Sequence, residues 1–133
     1  MTSVDDVDPH KQIRLIPDRV NANPRLCHRG RFFTSDIMIE IGDTPYYLRI
    51  NNGRIDDLSE GPVLMRPWAF AIRAGESAWT AFWQAMPAPG YHDIFAMTKF
   101  GAASIDGDFH PLMANLRYVK DLLATARAPE AGR

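Results

Sequence analysis

Trp68-Ala69-Phe70-Ala71-Ile72-Arg73-Ala74-Gly75-Glu76-Ser77-Ala78-Trp79-Thr80-Ala81-Phe82-Trp83-Gln84-Ala85-Met86 changes its period half-way along. Up to Arg73, large apolar residues alternate with small or polar ones, the period of a half-buried β-strand with Trp68, Phe70 and Ile72 on one face. Gly75 interrupts the run. Beyond it Trp79, Phe82, Trp83 and Met86 fall at i, i+3, i+4 and i+7, one stripe of a helix. Burying each such side chain is worth roughly 1.5–3 kcal/mol. The stripe must therefore face the sheet, a ligand or a partner chain.

The composition bounds what surrounds this unit. With 133 residues, 46% of them hydrophobic, the chain can bury one core without disulfides or metals. A net charge of -1 offers no electrostatic case for nucleic acid or an anionic membrane as main partner. The single cysteine, Cys27, permits no intrachain disulfide and suits a reducing compartment. No apolar run approaches the ~18 residues of a transmembrane helix, and Asp5, Asp6 and Asp8 stand where a signal peptide would be basic. A soluble, cytoplasmic protein is expected.

Upstream of Trp68 the sequence reads as a meander. Ile37, Ile39 and Ile41 alternate with Met38 and Glu40, and Gly42-Asp43-Thr44-Pro45 is turn chemistry. Tyr46, Leu48 and Ile50 form a second strand, and Asn51-Asn52-Gly53 is a tight hairpin signal leading to a weaker strand from Arg54 to Leu58. Before the meander, a short helix is expected from Pro17 to the residues before Asn23-Pro24. Arg25, His28, Arg29 and Arg31 follow as a basic loop, either solvated or holding an anionic head group. Downstream, the proline- and glycine-rich corner at residues 87–90 leads to a short helix over His92 to Phe100, ended by Gly101 as a left-handed cap. A short fifth strand from Ala102 to Ile105 precedes a last helix with Pro111 in its first turn. Leu112, Leu116, Val119 and Leu123 form its buried stripe, widened by Met113 and Leu122. Residues 1–10 read as a disordered lead, 11–126 as a single domain and 127–133 as a disordered tail.

An enzyme would need a constellation of reactive groups. No P-loop, GxGxxG, GxSxG or HExxH occurs, and His10, His28, His92 and His110 are too far apart to share a metal in one helix. No cofactor or metal is expected. His92-Asp93 and Asp106, Asp108 and His110 are the acid–base candidates, against helix capping and turn formation as the plainer role. A small α+β cone of the ketosteroid-isomerase type would need a carboxylate facing its cavity, and the inward-facing strand positions hold none.

Four segments in this order resemble one known family: YYLRINNGRI (46–55), WAFAIRAGESAWTAFWQAM (68–86), PAPGYHDIFAMTKFG (87–101) and ASIDGDFHPLMANLRYVKDLL (103–123). Together they resemble the sterol carrier protein type-2-like domain over about Phe32 to Leu123. The resemblance implies an α+β fold, a five-stranded, mostly antiparallel mixed sheet with helices on one face. It also implies non-enzymatic binding of a fatty acyl chain, acyl-CoA or sterol-like molecule in an apolar cavity between the two layers. That cavity would be lined by Phe70 and Ile72 from the strand and by Trp79, Phe82, Trp83 and Met86 from the aromatic helix. Phe95 and Met97 would add the short helix, and Leu116 and Val119 the last one. Arg25, Arg29 and Arg31 are the candidate head-group contacts. Met38, Met65, Met86, Met97 and Met113 suit an adaptable interior. The same aromatic stripe is equally compatible with packed core, or with the interface of a homodimerising interaction module.

Overall fold

A computed structural model describes residues 7–61 and 67–128. Among these residues five strands form one sheet in the order β3-β2-β1-β4-β5. The strands are β1 (Ser35–Ile41), β2 (Thr44–Asn51), β3 (Arg54–Glu60), β4 (Phe70–Ala74) and β5 (Ala103–Gly107). β1, β2 and β3 make the expected antiparallel meander, and β4 re-enters beside β1 in parallel before β5 pairs with it antiparallel. The sheet is thus mixed, and its α+β class is as expected. Asn52 (φ +51°) and Gly53 (φ +83°) make the hairpin turn with consecutive positive φ angles.

Seven α-helices accompany the sheet among the described residues: α1 (Pro9–Gln12), α2 (Ile16–Asn21), α3 (Pro24–Arg29), α4 (Glu76–Phe82), α5 (Ile94–Lys99), α6 (Phe109–Ala114) and α7 (Leu116–Ala124). One core joins Ile37, Ile39, Ile41, Leu48, Ile50, Phe70 and Ile72 on the sheet to Ile13, Ile16, Val20, Trp79, Leu112, Val119 and Leu123 from the helical layer. Within each strand these positions are every second residue, and the register pairs Ile37 with both Leu48 and Phe70 and Ile39 with Ile72, so this core lies on one face. A smaller cluster of Met38, Tyr47 and Ala71 lies on the opposite face.

The N-terminal region differs most from expectation. Residues 1–6 lie outside the described set, but within the supposed lead Val7 is buried and Asp8 caps α1, accepting from the His10 backbone N–H at 3.0 Å. The short helix expected near Pro17 is α2: Pro17 sits in its first turn, where its missing N–H costs nothing, directly after a 3-10 turn over Ile13–Leu15. The supposed basic loop is helical, because Asn23 caps α3 through the Leu26 N–H at 3.1 Å and Pro24 fills the first turn. Asn21 then covers the edge strand. Its amide donates to the Ile55 carbonyl at 3.0 Å and its oxygen accepts the Ile55 N–H at 2.8 Å, where the β2–β3 register slips.

Trp68 is a correction. It precedes β4 and packs with Met38, Tyr47 and Ala71 on the far face, so the alternation that groups it with Phe70 and Ile72 holds only inside the strand. The last helix is two helices, broken at Asn115 (φ −124°), and the break turns Met113 out to solvent at 56% exposure. Met65 lies outside the described residues. Of the tail, Ala128 donates its backbone N–H to the Trp83 carbonyl at 2.9 Å, and residues 129–133 are outside the described set.

The hairpin turn is held from above. Tyr118 donates its hydroxyl to the Gly53 carbonyl at 2.8 Å, and its burial raises its pKa well above the ordinary phenol value. A Cβ on Gly53 would sit 2.4 Å from the Cys27 carbonyl oxygen, at a φ that side chains resist. Gly53→Ala should cost roughly 1–3 kcal/mol from backbone strain alone, read as a lower midpoint in urea unfolding. An unchanged midpoint would contradict this packing of α3 on the turn.

Candidate functional site

The aromatic helix is short because its last turn is drawn away. α4 ends at Phe82, Trp83 serves as its C-cap, and residues 84–86 leave the helical path. Met86 therefore falls off the stripe and is 80% exposed, a correction to its place in the expected cavity wall. Phe70, Ile72, Trp79, Phe82, Trp83, Met97 and Val119 do converge in one core, with Phe95 and Leu116 partly buried against it.

This convergence is tight. Trp79 and Trp83 stack at 4.7 Å with 25° between their planes, and Phe82 meets Trp79 edge-on at 5.7 Å. Each indole N–H has an acceptor: Trp79 donates to the Glu40 carbonyl and Trp83 to the Leu123 carbonyl, both at 2.9 Å. Trp79, Phe82 and Trp83 of the aromatic stripe are covered by the chain's own sheet and helices.

Two concavities adjoin this core or its predicted companions. A cleft of about 310 Å³ is lined by Phe82, His92, Asp93, Ile94, Lys120, Asp121, Leu123, Ala124 and Arg127. A shallower groove of about 570 Å³ is lined by Pro24, Arg25, His28, Arg29 and Arg31. α3 and the turn that follows it thus bring the three predicted arginines to one groove. Arg29 is also paired with Asp121, and Arg31 donates to the His28 carbonyl at 2.7 Å while covering the exposed Phe32 ring.

The cleft contains residues that sequence reasoning left out of the site. Lys120, Leu123 and Arg127 recur at i, i+3 and i+7, a helical spacing that was visible; assigning Arg127 to the tail hid it. The Arg127 Nε donates to the Phe82 carbonyl at 3.1 Å and its Nη2 to the His92 carbonyl at 2.9 Å, with the guanidinium 4.8 Å over the Phe82 ring. Burial lowers its pKa from the ordinary arginine value.

The carboxylates among the acid–base candidates have structural occupations. Asp93 caps α5 through the Phe95 N–H at 3.1 Å and pairs with Lys120 at 3.2 Å. Asp108 caps α6 through the His110 N–H at 3.0 Å, and Asp106 accepts from Arg73 at 2.8 Å. Among the described residues no group of three His, Cys, Asp or Glu is placed to hold a metal ion. No helix among them is long and apolar enough to cross a membrane.

Comparison with solved structures decides what this architecture is. A sterol carrier protein 2 crystal structure superposes with TM-score 0.69 over 93% of this chain and 98% of that one, at 12% identity. The chain has the sterol carrier protein 2 fold. Palmitated SCP2L2 from Aedes aegypti matches the fold at TM-score 0.59 and 16% identity, covering 86% of this chain and 95% of that one. The fold also matches part of the stereoselective inverting sec-alkylsulfatase Pisa1 from Pseudomonas sp., at TM-score 0.60 and 12% identity, covering 95% of this chain and 17% of the enzyme. No protein-family model and no curated protein sequence matches the chain.

The packing of Trp83 yields a graded expectation. Trp83→Ala should cost about 3–5 kcal/mol, the range for emptying a large aromatic site in a close-packed core. Trp83→Phe should cost less, its loss coming largely from the indole N–H bond to the Leu123 carbonyl, which keeps only the longer bond from the Ala126 N–H at 3.5 Å. Thermal unfolding of both variants measures this. A Trp83→Ala variant as stable as the parent would mean that open space already stands beside the indole.

Proposed function

We propose that the protein binds and carries a hydrophobic or amphipathic small molecule, without catalysing a reaction on it. The observation that carries this reading is that Phe82, Ile94 and Leu123 belong both to the buried core and to the wall of an open cleft. Ligand sites are typically concavities with apolar walls and few polar groups, and here the apolar floor continues directly into the interior. An apolar chain entering at the cleft would reach the layer of Phe70, Ile72, Trp79, Trp83, Met97 and Val119 by displacing side chains at one point. Met97 is the most adaptable of these, being unbranched. The sterol carrier fold of the protein, shared with a palmitated relative in fold, supports the same reading.

A non-enzymatic role is consistent with the state of the carboxylates, because Asp93, Asp106, Asp108 and Asp121 are each engaged in a cap or an ion pair. The Arg25, Arg29 and Arg31 groove is proposed as a second contact for a phosphorylated head group such as that of acyl-CoA.

Native mass spectrometry and lipid extraction of the purified protein test the carrier role. A co-purifying lipid is expected, and titration with a fatty acyl ligand should change tryptophan fluorescence through Trp79 or Trp83. No bound lipid and no fluorescence response from any tryptophan would remove the reading. If the arginine groove contributes, acyl-CoA should bind more tightly than the free acid and lose that advantage in high salt. Equal affinities at every salt concentration would exclude it.

A further inference from the structure

The two edges of the sheet are finished differently. On β3 the Asn21 side chain takes both backbone groups of Ile55, the register slips beside β2, and Arg54, Asp56, Asp57 and Glu60 spread charge along the strand. These are the devices that keep an edge strand from pairing with another chain. β5, at the opposite edge, lacks them. Ala103-Ser104-Ile105-Asp106-Gly107 holds no proline and no basic residue, and its one charge, Asp106, is turned back to Arg73 of β4 at 2.8 Å. Ser104, Asp106 and Gly107 are exposed, and Ile105 is half-buried.

The backbone shows which groups of β5 point outward. The Asp108 N–H donates to the Ala69 carbonyl at 2.8 Å, so residues of the same parity, Ser104 and Asp106, turn their backbone groups toward β4. Alternation then directs the N–H and C=O of Ala103, Ile105 and Gly107 away from the sheet. Among the described residues these three make no backbone hydrogen bond outside the sheet. The side chains alternate as well. Ile105 lies opposite Ile72 on the helical face, whereas Ser104 and Asp106 lie opposite Arg73 and Ala71 on the far face.

We propose that β5 is the contact edge of a symmetric dimer, in which two copies of the chain pair antiparallel about a two-fold axis at Ile105. In that register Ile105 of each copy exchanges both backbone bonds with its counterpart, and Ala103 does so with Gly107 of the second copy. Ser104 comes opposite Asp106 on each side of the axis, so a hydroxyl donor meets a carboxylate and no like charges face each other. This self-complementarity selects a second copy over an arbitrary extended peptide, and a self-matching two-fold interface is the usual form of a homodimer. The strand pair alone is small against the roughly 1,200 Å² of a standard interface. Phe100 precedes β5, Phe109 and Met113 follow it, and all three are exposed. Antiparallel pairing sets the Phe100 end of one copy beside the Phe109 end of the other, which adds apolar area to the contact. A dimer of roughly micromolar affinity is expected. It stands independently of the carrier role.

Sedimentation velocity of the purified protein between about 1 and 500 µM measures the association. A reversible monomer–dimer equilibrium is expected. Ser104→Asp puts a carboxylate opposite Asp106 twice in each dimer and should raise the dissociation constant about tenfold. Ser104→Lys puts an ammonium in the same place and should not raise it. The side chain is exposed, so both variants should keep the fold. Amide hydrogen exchange of the unmodified protein gives a readout that needs no variant. The Ile105 N–H should exchange more slowly as the concentration rises, while the Ser104 and Asp106 N–H groups, already turned to β4, should not change. A monomer at every concentration overturns the dimer and leaves the carrier role untouched. So does a dimer that ignores Ser104→Asp, one weakened equally by Ser104→Lys, or one in which Ile105 exchange is independent of concentration.

Discussion

Two indole N–H groups set the position of almost everything on the helical face. Trp79 and Trp83 have no solvent exposure, and a buried N–H without an acceptor costs about 1–3 kcal/mol. Trp79 finds its acceptor on β1, at Glu40, and Trp83 finds its own on α7, at Leu123. One short helix is thereby held in a single rotation against both the sheet and the last helix. The Trp83 carbonyl accepts the Ala128 N–H, so the segment following α7 is drawn along the same side chain stack.

That arrangement also creates the cleft. α4 stops at Phe82, the chain swings out through the proline-rich corner, and α5 begins only at Ile94. The space between these two ends is bridged by Arg127, which takes one carbonyl from each side. A longer aromatic helix would have closed the gap with Met86. Instead Met86 is in solvent, and the core residues Phe82, Ile94 and Leu123 border an opening.

The far face of the sheet is held by different means. Arg73 on β4 reaches Glu40 on β1 at 3.0 Å and Asp106 on β5 at 2.8 Å, spanning three neighbouring strands. Its hydrogen bond to Asp106 is the leading reason its pKa is raised. Pairs this exposed contribute little stability individually, and a network across the parallel β1–β4 junction is better placed to hold register than to add strength. The charge network shares the far face with the small apolar cluster of Met38, Tyr47, Ala71 and Trp68, while the larger apolar core lies on the helical face.

The local signals determined what local physics controls. Alternation placed the meander strands, Asn52-Gly53 placed the hairpin, and Gly101 (φ +84°) placed the end of α5, because strand period and positive φ depend on a few adjacent residues. Apolar character also assigned Phe70, Ile72, Trp79, Phe82, Trp83, Met97 and Val119 to one buried layer. What they could not determine was where a period stops. Trp68, Met86 and Met113 each continue a pattern on paper, yet the strand starts at Phe70, α4 ends at Phe82 and Asn115 breaks the last helix. The first two endpoints involve partners distant in sequence, the Asp36 carbonyl for Ala69 and the Leu123 carbonyl for Trp83, whereas at Asn115 the side chain turns back to the Pro111 carbonyl at 3.0 Å. Arg127 gained its place as the first two did. Its meaning lies in the Phe82 and His92 carbonyls, 45 and 35 residues away along the chain, which only the folded backbone brings within hydrogen-bonding reach.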